Sequence, residues 1–185
     1  MIPAAAHEWE RLWAPYDEPT YDEVLSAVLP EDVVLEIGAG DLRLSRRLAV
    51  AAREVIAWEI QADVLHKSVY DLPPNLKVWH VDARQASVPP GVTTAVLLMR
   101  HCQHFQLYAH KLRAAGCKRL ITNARWGLGV EVLNLRLPRL LYNALPMGWY
   151  ACWCGHTGFK VGAAEFLTRE LETAVFEVID CPNCR

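Results

Sequence analysis

The chain is expected to adopt a doubly wound α/β fold on a mostly parallel sheet, and three features predict it. Five short apolar runs recur between residues 32 and 123. Helix-period stretches or loops separate them, the rhythm of β-α-β units. The first run closes on a two-glycine turn, Gly38-Ala39-Gly40, that leads straight into a helical stretch. Continuous apolar runs of this kind suit strands buried on both faces, with helices above and below the sheet.

The elements follow in order. Thr20 with Glu23 three residues on reads as a capping box, and Val24, Leu25, Val28 and Leu29 give one apolar face, so a helix is predicted over 21–29 with Pro30 at its end. Strands are predicted at 32–37, 55–59 (VIAWE), 76–81 (LKVWHV), 93–99 (TTAVLLM) and 118–123 (KRLITN). Helices are predicted at 42–53, near 62–70, and near 104–115 with Gly116 as the stop. Residues 124–148 are Leu-rich and broken by Pro138 and Pro146, which predicts an inserted helix and loop over the sheet edge. A strand near 149–153, a helix near 163–171 and a strand near 174–180 are expected to extend or close the sheet. The whole is read as one domain: an extension at 1–19, a core at 20–123, an insertion at 124–148 and C-terminal strands at 149–185.

A chain of 185 residues, 52% hydrophobic, has enough apolar side chain for one core. A net charge of -2 does not supply the broad positive field of a protein held mainly by phosphates, so nucleic acid is a possible partner but not the favoured one. No run of about 18 uncharged apolar residues occurs, and the N-terminus carries acids where a signal peptide has a basic start. The expectation is a cytoplasmic protein without a membrane partner. Six cysteines in such a compartment favour metal or free thiols over disulfides.

In open parallel sheets ligands bind beyond the carboxyl ends of the strands, so the Gly38-Ala39-Gly40 loop is the first candidate site. Paired glycines allow a tight turn and a close backbone approach, and the following helix aims its N-terminal N–H groups at the same space. A plain strand-to-helix turn has the same pattern. Glu59 then ends the second run about 20 residues later, where a carboxylate can accept from a ribose diol, and Asp82 ends the third, where a carboxylate can meet an adenine amino group. Either acid alone is also an ordinary solvated strand end; in register with the glycines they form a constellation.

On these residues the chain resembles the class I, Rossmann-like S-adenosylmethionine-dependent methyltransferases over roughly residues 20–123. VVLEIGAG matches the family's first-strand acid and G-x-G with Glu36, Gly38 and Gly40. The resemblance implies that Gly38 and Gly40, flanking Ala39, pack against the methionine portion of S-adenosylmethionine. It implies that Glu59 holds the ribose hydroxyls, that Asp82 and the backbone of Ala83 read the adenine, and that Glu36 acts through water or by bracing the loop. The frequent third glycine of the motif falls on Leu42, a departure. A nicotinamide dehydrogenase is disfavoured, because its motif needs a small residue at Arg43.

Methyl transfer needs alignment of the acceptor and, where the acceptor is protonated, removal of a proton. The loop after the fourth run, Met99-Arg100-His101-Cys102-Gln103-His104, makes His101 the candidate base and Arg100 or His104 a substrate-orienting group. Capping and solvating the next helix is the alternative duty for these side chains. The N-P-P-Y type signature of enzymes that methylate amino groups on nucleobases is absent, so the acceptor is not identified. Asn123, Arg125 and Trp126 are expected on the acceptor side, and Trp9, Trp13 and Tyr16 form a lid or an amphipathic packing face.

Cys152-Trp153-Cys154 and Cys181-Pro182-Asn183-Cys184 form the second signal. A C-P-x-C turn sets two thiolates on one knuckle, and four thiolates satisfy tetrahedral zinc with no open position, which makes a structural zinc knuckle on the C-terminal strands the expectation. The one-residue spacing of the first pair is unusual, and His156 is an alternative ligand. Three functions remain in view: a methyltransferase acting on a small molecule or an exposed group of a protein or RNA, a cofactor-binding scaffold that uses the ribbon for a partner, and an RNA-modifying enzyme with Arg125, Arg136, Arg139 and Lys160 as contacts.

Overall fold

The computed structural model describes residues 16–126 and 129–184. Trp9, Trp13 and Arg185 lie outside them. Strands β1 (Val33–Ile37), β2 (Glu54–Glu59), β3 (Leu76–His80), β4 (Thr94–Leu97), β5 (Arg119–Thr122) and β6 (Glu131–Asn134) form one sheet in the order β3-β2-β1-β4-β5-β6. All neighbours are parallel except β6, which runs antiparallel to β5 at the edge. The order reverses beside β1, so the crevice for a ligand opens at its carboxyl end.

Every residue of β1 is buried, as a central strand requires. Leu35 and Ile37 join Phe105, Ala109 and Leu112 of helix α4 (Phe105–Ala114) on one face. Val34 packs on the other with α1 (Glu18–Ser26) and α2 (Arg43–Ala51) through Val24, Leu44 and Leu48. Helices on both faces and a mostly parallel sheet bear out the predicted fold class.

Several boundaries shift for local reasons. The cap of α1 is Asp17, whose carboxylate accepts the Thr20 N–H at 3.1 Å, so Thr20 lies inside the helix and is not its cap. The helix predicted to reach residue 70 is α3 (Ala62–His66), and the chain beyond it is held by Arg46, which donates to the carbonyls of Ser68, Tyr70 and Asp71. The insertion contains no α-helix among the described residues. Its Glu131-Val132-Leu133-Asn134-Leu135 stretch alternates, with Leu133 and Leu135 buried and Val132 half exposed, and this period of two makes it the edge strand β6.

The C-terminal strands do not extend the main sheet. β7 (Leu140–Leu141), β8 (Gly148–Cys152), β9 (Thr157–Lys160) and β10 (Val175–Ile179) make a second sheet in the order β7-β10-β8-β9. It has its own small core of Leu145, Tyr150, Cys152, Val178 and Cys181. The β8–β9 hairpin was not foreseen, and the predicted helix at 163–171 is a 3-10 turn (Ala164–Phe166) followed by the short α5 (Arg169–Thr173). No helix among the described residues is long and apolar enough to cross a membrane.

One buried guanidinium ties the two sheets together. The Arg125 side chain is fully enclosed and donates to both carboxylate oxygens of Glu131 on β6, at 2.8 and 2.5 Å, and to both of Glu177 on β10, at 2.9 and 2.6 Å. Burial disfavours its charge, but the two carboxylates more than offset that and raise its pKa. Arg125 is therefore an internal cross-link, not a group lining an acceptor pocket or an RNA contact. Removing one member of a buried ion cluster leaves the others uncompensated, at about 3–5 kcal/mol. Arg125→Met is expected to lower unfolding free energy in urea by about that amount. Adding Glu131→Gln and Glu177→Gln should recover part of it; a fully stable Arg125→Met protein would contradict the cross-link.

Candidate functional site

The loop after β1 is fixed from inside. Gly38 and Ala39 both donate to the Trp58 carbonyl at 2.9 Å, which continues the β1–β2 pairing past the strand end. Gly38 sits at φ +77, and a Cβ there would come within 3.2 Å of the Met99 Cε, so both space and backbone conformation call for glycine. Gly40, at φ +57, donates to Glu59 Oε2 at 2.8 Å. The other Glu59 oxygen accepts from Ile60 and Gln61 N–H, each at 2.8 Å. One carboxylate thus pins the glycine loop to the β2–α3 turn.

Leu42 explains the missing third glycine. Its backbone is left-handed at φ 64, the conformation that position demands, and its side chain is fully buried. The left-handed strain, about 1–2 kcal/mol, is outweighed by burial of a leucine, about 1.5–3 kcal/mol.

Glu36 points to the α2 side and pairs with the Ser45 hydroxyl in the first turn of that helix. Burial pushes its carboxyl up to about 8; the Ser45 bond works against this, and the charges of Glu59 and Asp41 add to it. At neutral pH this favours the protonated carboxyl, and its bond to Ser45 ties β1 to α2. Sequence reasoning missed Ser45, although a lone hydroxyl between Leu44 and Leu48 on the buried face of α2 marks a polar partner within the core.

Asp82, just after β3, stands apart from this network. It holds Arg84 through both oxygens and accepts the Arg84 N–H at 2.9 Å, which brings its carboxyl down to about 2. Lys111 of α4 donates to the Ala83 carbonyl at 2.6 Å and fixes the same loop. Both Asp82 oxygens already receive Arg84 N–H groups, so an amino group would meet this carboxylate by displacing the exposed Arg84 side chain.

The structure brings the loop after β4 beside the loop after β5: His101, at φ 56, donates its backbone N–H to the Ala124 carbonyl at 3.2 Å. Arg100, His101 and His104 are all exposed. The Arg100 guanidinium lies 4.9 Å over the Tyr16 ring, and the Tyr16 hydroxyl donates to the Leu98 carbonyl at 3.2 Å. Tyr16 therefore packs at the carboxyl end of β4. His104 occupies the N-cap position of α4 but makes no side-chain cap bond. Asn123 is buried with Oδ1 unpartnered, and Trp126 is half-buried.

The residues fit an adenosyl cofactor in one further respect. The Gln61 Oε1, two residues beyond Glu59, is enclosed without a hydrogen-bond partner at the same strand end. Gly38, Ala39, Gly40, Glu59, Asp82 and Ala83 all lie at the carboxyl ends of adjacent strands.

The four cysteines Cys152, Cys154, Cys181 and Cys184 converge, with all sulfurs within 4.8 Å of one another. Cys152–Cys184, Cys154–Cys181 and Cys181–Cys184 stand 3.4, 3.5 and 3.7 Å apart. A disulfide requires about 2.05 Å, whereas four sulfurs about 2.3 Å from a zinc lie about 3.8 Å apart. The donor set and spacing fit a tetrahedral metal. His156 is not among the grouped ligands; its carbonyl accepts the Cys152 N–H at 2.9 Å. Each pair rides on a tight turn, closed by Gly155 N–H to Cys152 O at 3.0 Å and by Cys184 N–H to Cys181 O at 2.9 Å. The one-residue spacing then has a reason: Cys152 packs in the small core, while Trp153 turns the other way into the main-sheet core.

A Rossmann-like sheet with a glycine loop and strand-end acids defines a class I methyltransferase fold. The profile of the ribosomal RNA adenine dimethylases matches residues 17–116, over half of the chain, and the chain belongs to that family. Among solved structures it is similar to the 23S rRNA methyltransferase ErmE, at 24% identity over 58% of this chain and 46% of that one, with a TM-score of 0.51. It is also similar to a DhpI–SAH complex (20% identity, 63% of this chain and 62% of that one, TM-score 0.50). A third is the precorrin 8w decarboxylase of Methanobacterium thermoautotrophicum (19%, 59% and 63%, TM-score 0.50). These likenesses speak to the fold. The chain spans under half the length of ErmE. No curated protein matches it.

The raised Glu36 pKa has a measurable consequence. The folded state retains a proton that the unfolded chain releases above its usual value of 4.5, so stability falls as pH rises from there through about 8. Melting temperatures between pH 5 and 9 are expected to decline more steeply for the wild type than for Glu36→Gln. Parallel profiles would show that Glu36 is ionised in the fold.

Proposed function

We propose that this chain is an S-adenosylmethionine-dependent methyltransferase with an RNA acceptor, working as one unit with its C-terminal sheet. The observation that carries the reading is Glu59, which stands at the end of β2 and anchors the glycine loop through the Gly40 N–H. The family to which residues 17–116 belong supports RNA as the acceptor class. So do Arg113 and Arg139, which lie near each other over Trp153 and form no salt bridge among the described residues.

When bound, the cofactor supplies an electrophilic methyl group on sulfonium. In this reading Glu59 accepts from the ribose hydroxyls, while Asp82 and the Ala83 backbone meet the adenine. Glu36, neutral, braces the loop without placing a second anion beside Glu59. Arg100 orients the acceptor, and His101, exposed on a strained turn next to Ala124, takes the acceptor proton. His104, one turn on, is the alternative orienting group. The residues after β4 read Leu98-Met99-Arg100-His101 and lack the N-P-P-Y type signature, so the sequence assigns no acceptor atom.

Cys152, Cys154, Cys181 and Cys184 would hold a structural zinc ion that stabilises the second sheet. Chelation, or Cys184→Ser, is then expected to lower the melting temperature by several degrees, with about one zinc per chain released. An unchanged melting curve in a zinc-free protein would remove the assignment.

For the enzyme itself, calorimetry with S-adenosylmethionine should give one site, with Asp82→Ala weakening binding by about 10- to 150-fold, as for one lost hydrogen-bonded charge. Label from methyl-labelled cofactor should enter ribonuclease-sensitive material in cell extract. His101→Ala should slow that transfer without changing cofactor affinity. Cofactor binding with no incorporated label would instead indicate a scaffold.

A further inference from the structure

Charge is spread unevenly along this chain, and the total of -2 conceals it. Residues 83–164 carry ten of the Lys and Arg but one acid, Glu131, which is spent on the buried Arg125. A basic segment of this kind serves a polyanion where its cations stand free. Most of the ten are held internally. Arg84, Arg119 and Arg125 pair with carboxylates, while Lys111 and Lys160 donate to backbone carbonyls. Arg100 lies at the acceptor loop over Tyr16. The others, Arg113, Lys118, Arg136 and Arg139, gather around the C-terminal half of α4.

The cluster is built on Trp153, whose indole is 1% exposed. Arg139 stands 3.9 Å and Arg113 5.8 Å from the centre of its ring, and the exposed His110 ring meets it edge-on at 5.1 Å. The two guanidinium groups therefore lie within one Debye length of each other, about 10 Å at 0.1 M salt. Neither forms an ion pair or a side-chain hydrogen bond among the described residues. Arg136, also exposed, donates to the Gly116 carbonyl just past α4 at 3.3 Å, and the exposed Lys118 is its near neighbour, accepting the Leu135 N–H at 2.9 Å through its own carbonyl. The basic strip thus continues beyond the helix.

The protein does not neutralise this cluster itself. Burial lowers the pKa of Arg139, and Arg113 lowers it further; burial and then both arginines do the same to His110. Glu177, which acts on Arg139 in the opposite sense, already receives Arg125 through both oxygens. Cys152 and Cys184 act likewise, and a zinc ion would neutralise part of their charge. The carbonyl end of α4 favours a cation in its last turn, which accounts for Arg113 but not for Arg139, drawn from another segment. The guanidinium groups and the indole offer donors only, and the buried indole N–H meets no acceptor.

We propose that Arg113 and Arg139, with His110, Arg136 and Lys118 around them, form a seat for the phosphates of an RNA backbone, separate from the methyl-transfer site. A strand of RNA brings a row of anionic acceptor oxygens, which suits donors spread over several segments better than one small anion does. Helix α4 runs about 15 Å from the acceptor loop to this cluster, so the seat grips the strand a few nucleotides from the reacting one. It rests on the RNA reading above for its partner and adds the surface that holds it.

The test is fluorescence anisotropy of a labelled single-stranded RNA of mixed sequence, about 20 nucleotides long, on the full-length, zinc-replete protein without cofactor, from about 50 to 300 mM KCl. Each phosphate contact to a single strand contributes about 0.7 to the slope of log K against log salt, or about fivefold in affinity at 0.1 M. Arg113→Gln and Arg139→Gln are each expected to flatten the slope by about that amount, and Arg139→Lys to keep it. Arg113→Gln should melt and bind S-adenosylmethionine as the wild type does. Arg53→Gln, an exposed charge ahead of β2, should leave RNA binding unchanged. Absence of RNA binding, an unmoved slope in either Gln variant, or an equal loss in Arg53→Gln would overturn the proposal. So would release of the RNA by inorganic phosphate at constant ionic strength, which would mark a small-anion site. Methyl transfer into RNA is measured on the same preparations: transfer with an unmoved slope rejects the seat alone, and a flattened slope without transfer rejects the enzymatic role alone.

Discussion

The geometry at the carboxyl end of the sheet depends on one carboxylate with three donors. Glu59 receives the N–H groups of Gly40, Ile60 and Gln61, and so joins two loops that no strand pairing connects. Without it, the buried Gly40 N–H would lack a partner and the glycine turn would lose its anchor. Glu36 beside it is pushed toward its neutral form chiefly by burial, and the charges of Glu59 and Asp41 add to the effect. The cofactor crevice is therefore shaped by satisfied backbone before any ligand enters.

At the opposite end of β1 a second buried acid plays the matching part. Asp32 accepts from Leu29 N–H at 2.8 Å, from the Thr93 and Thr94 hydroxyls at 2.7 and 2.9 Å, and from Arg119 at 2.5 Å. Burial alone would raise its pKa, but these partners more than offset that and lower it. The central strand is thus held at both ends by carboxylates in different protonation states, one ionised and one neutral, according to the donors each receives.

Much of the first 123 residues was legible in the sequence because the signals are local. Apolar runs give strands, Gly38 and Gly40 give a turn, and Glu59 and Asp82 fall at strand ends by counting. What was not legible required partners distant in sequence. Arg125 reads as an exposed base until Glu177, 52 residues away, meets it in the fold. The edge strand at Glu131–Asn134 is only four residues long, and its alternation is hidden in a Leu-rich stretch with prolines on the far side. The second sheet was obscured for the same reason: β7 and β10 are parallel neighbours far apart in the chain, and short strands acquire meaning only once paired. The cysteines were found because metal ligands announce themselves by type and spacing, but the sequence did not say why only one residue separates the first two.

That spacing makes Trp153 a gauge of register. Its two flanking sulfurs face one sheet and its indole faces the other, with Arg139 stacked 3.9 Å from the ring and His110 at 5.1 Å. β8 ends at Cys152, so Trp153 and Cys154 sit in the turn, and a residue added or lost between the two cysteines changes where a thiol stands against its three companions or where the tryptophan meets the main core. Gly155 closes the turn at φ +92, a backbone conformation that favours glycine. The length of this hairpin tip is thereby tied to two cores at once, the small one that holds Cys152 and the main one that holds Trp153.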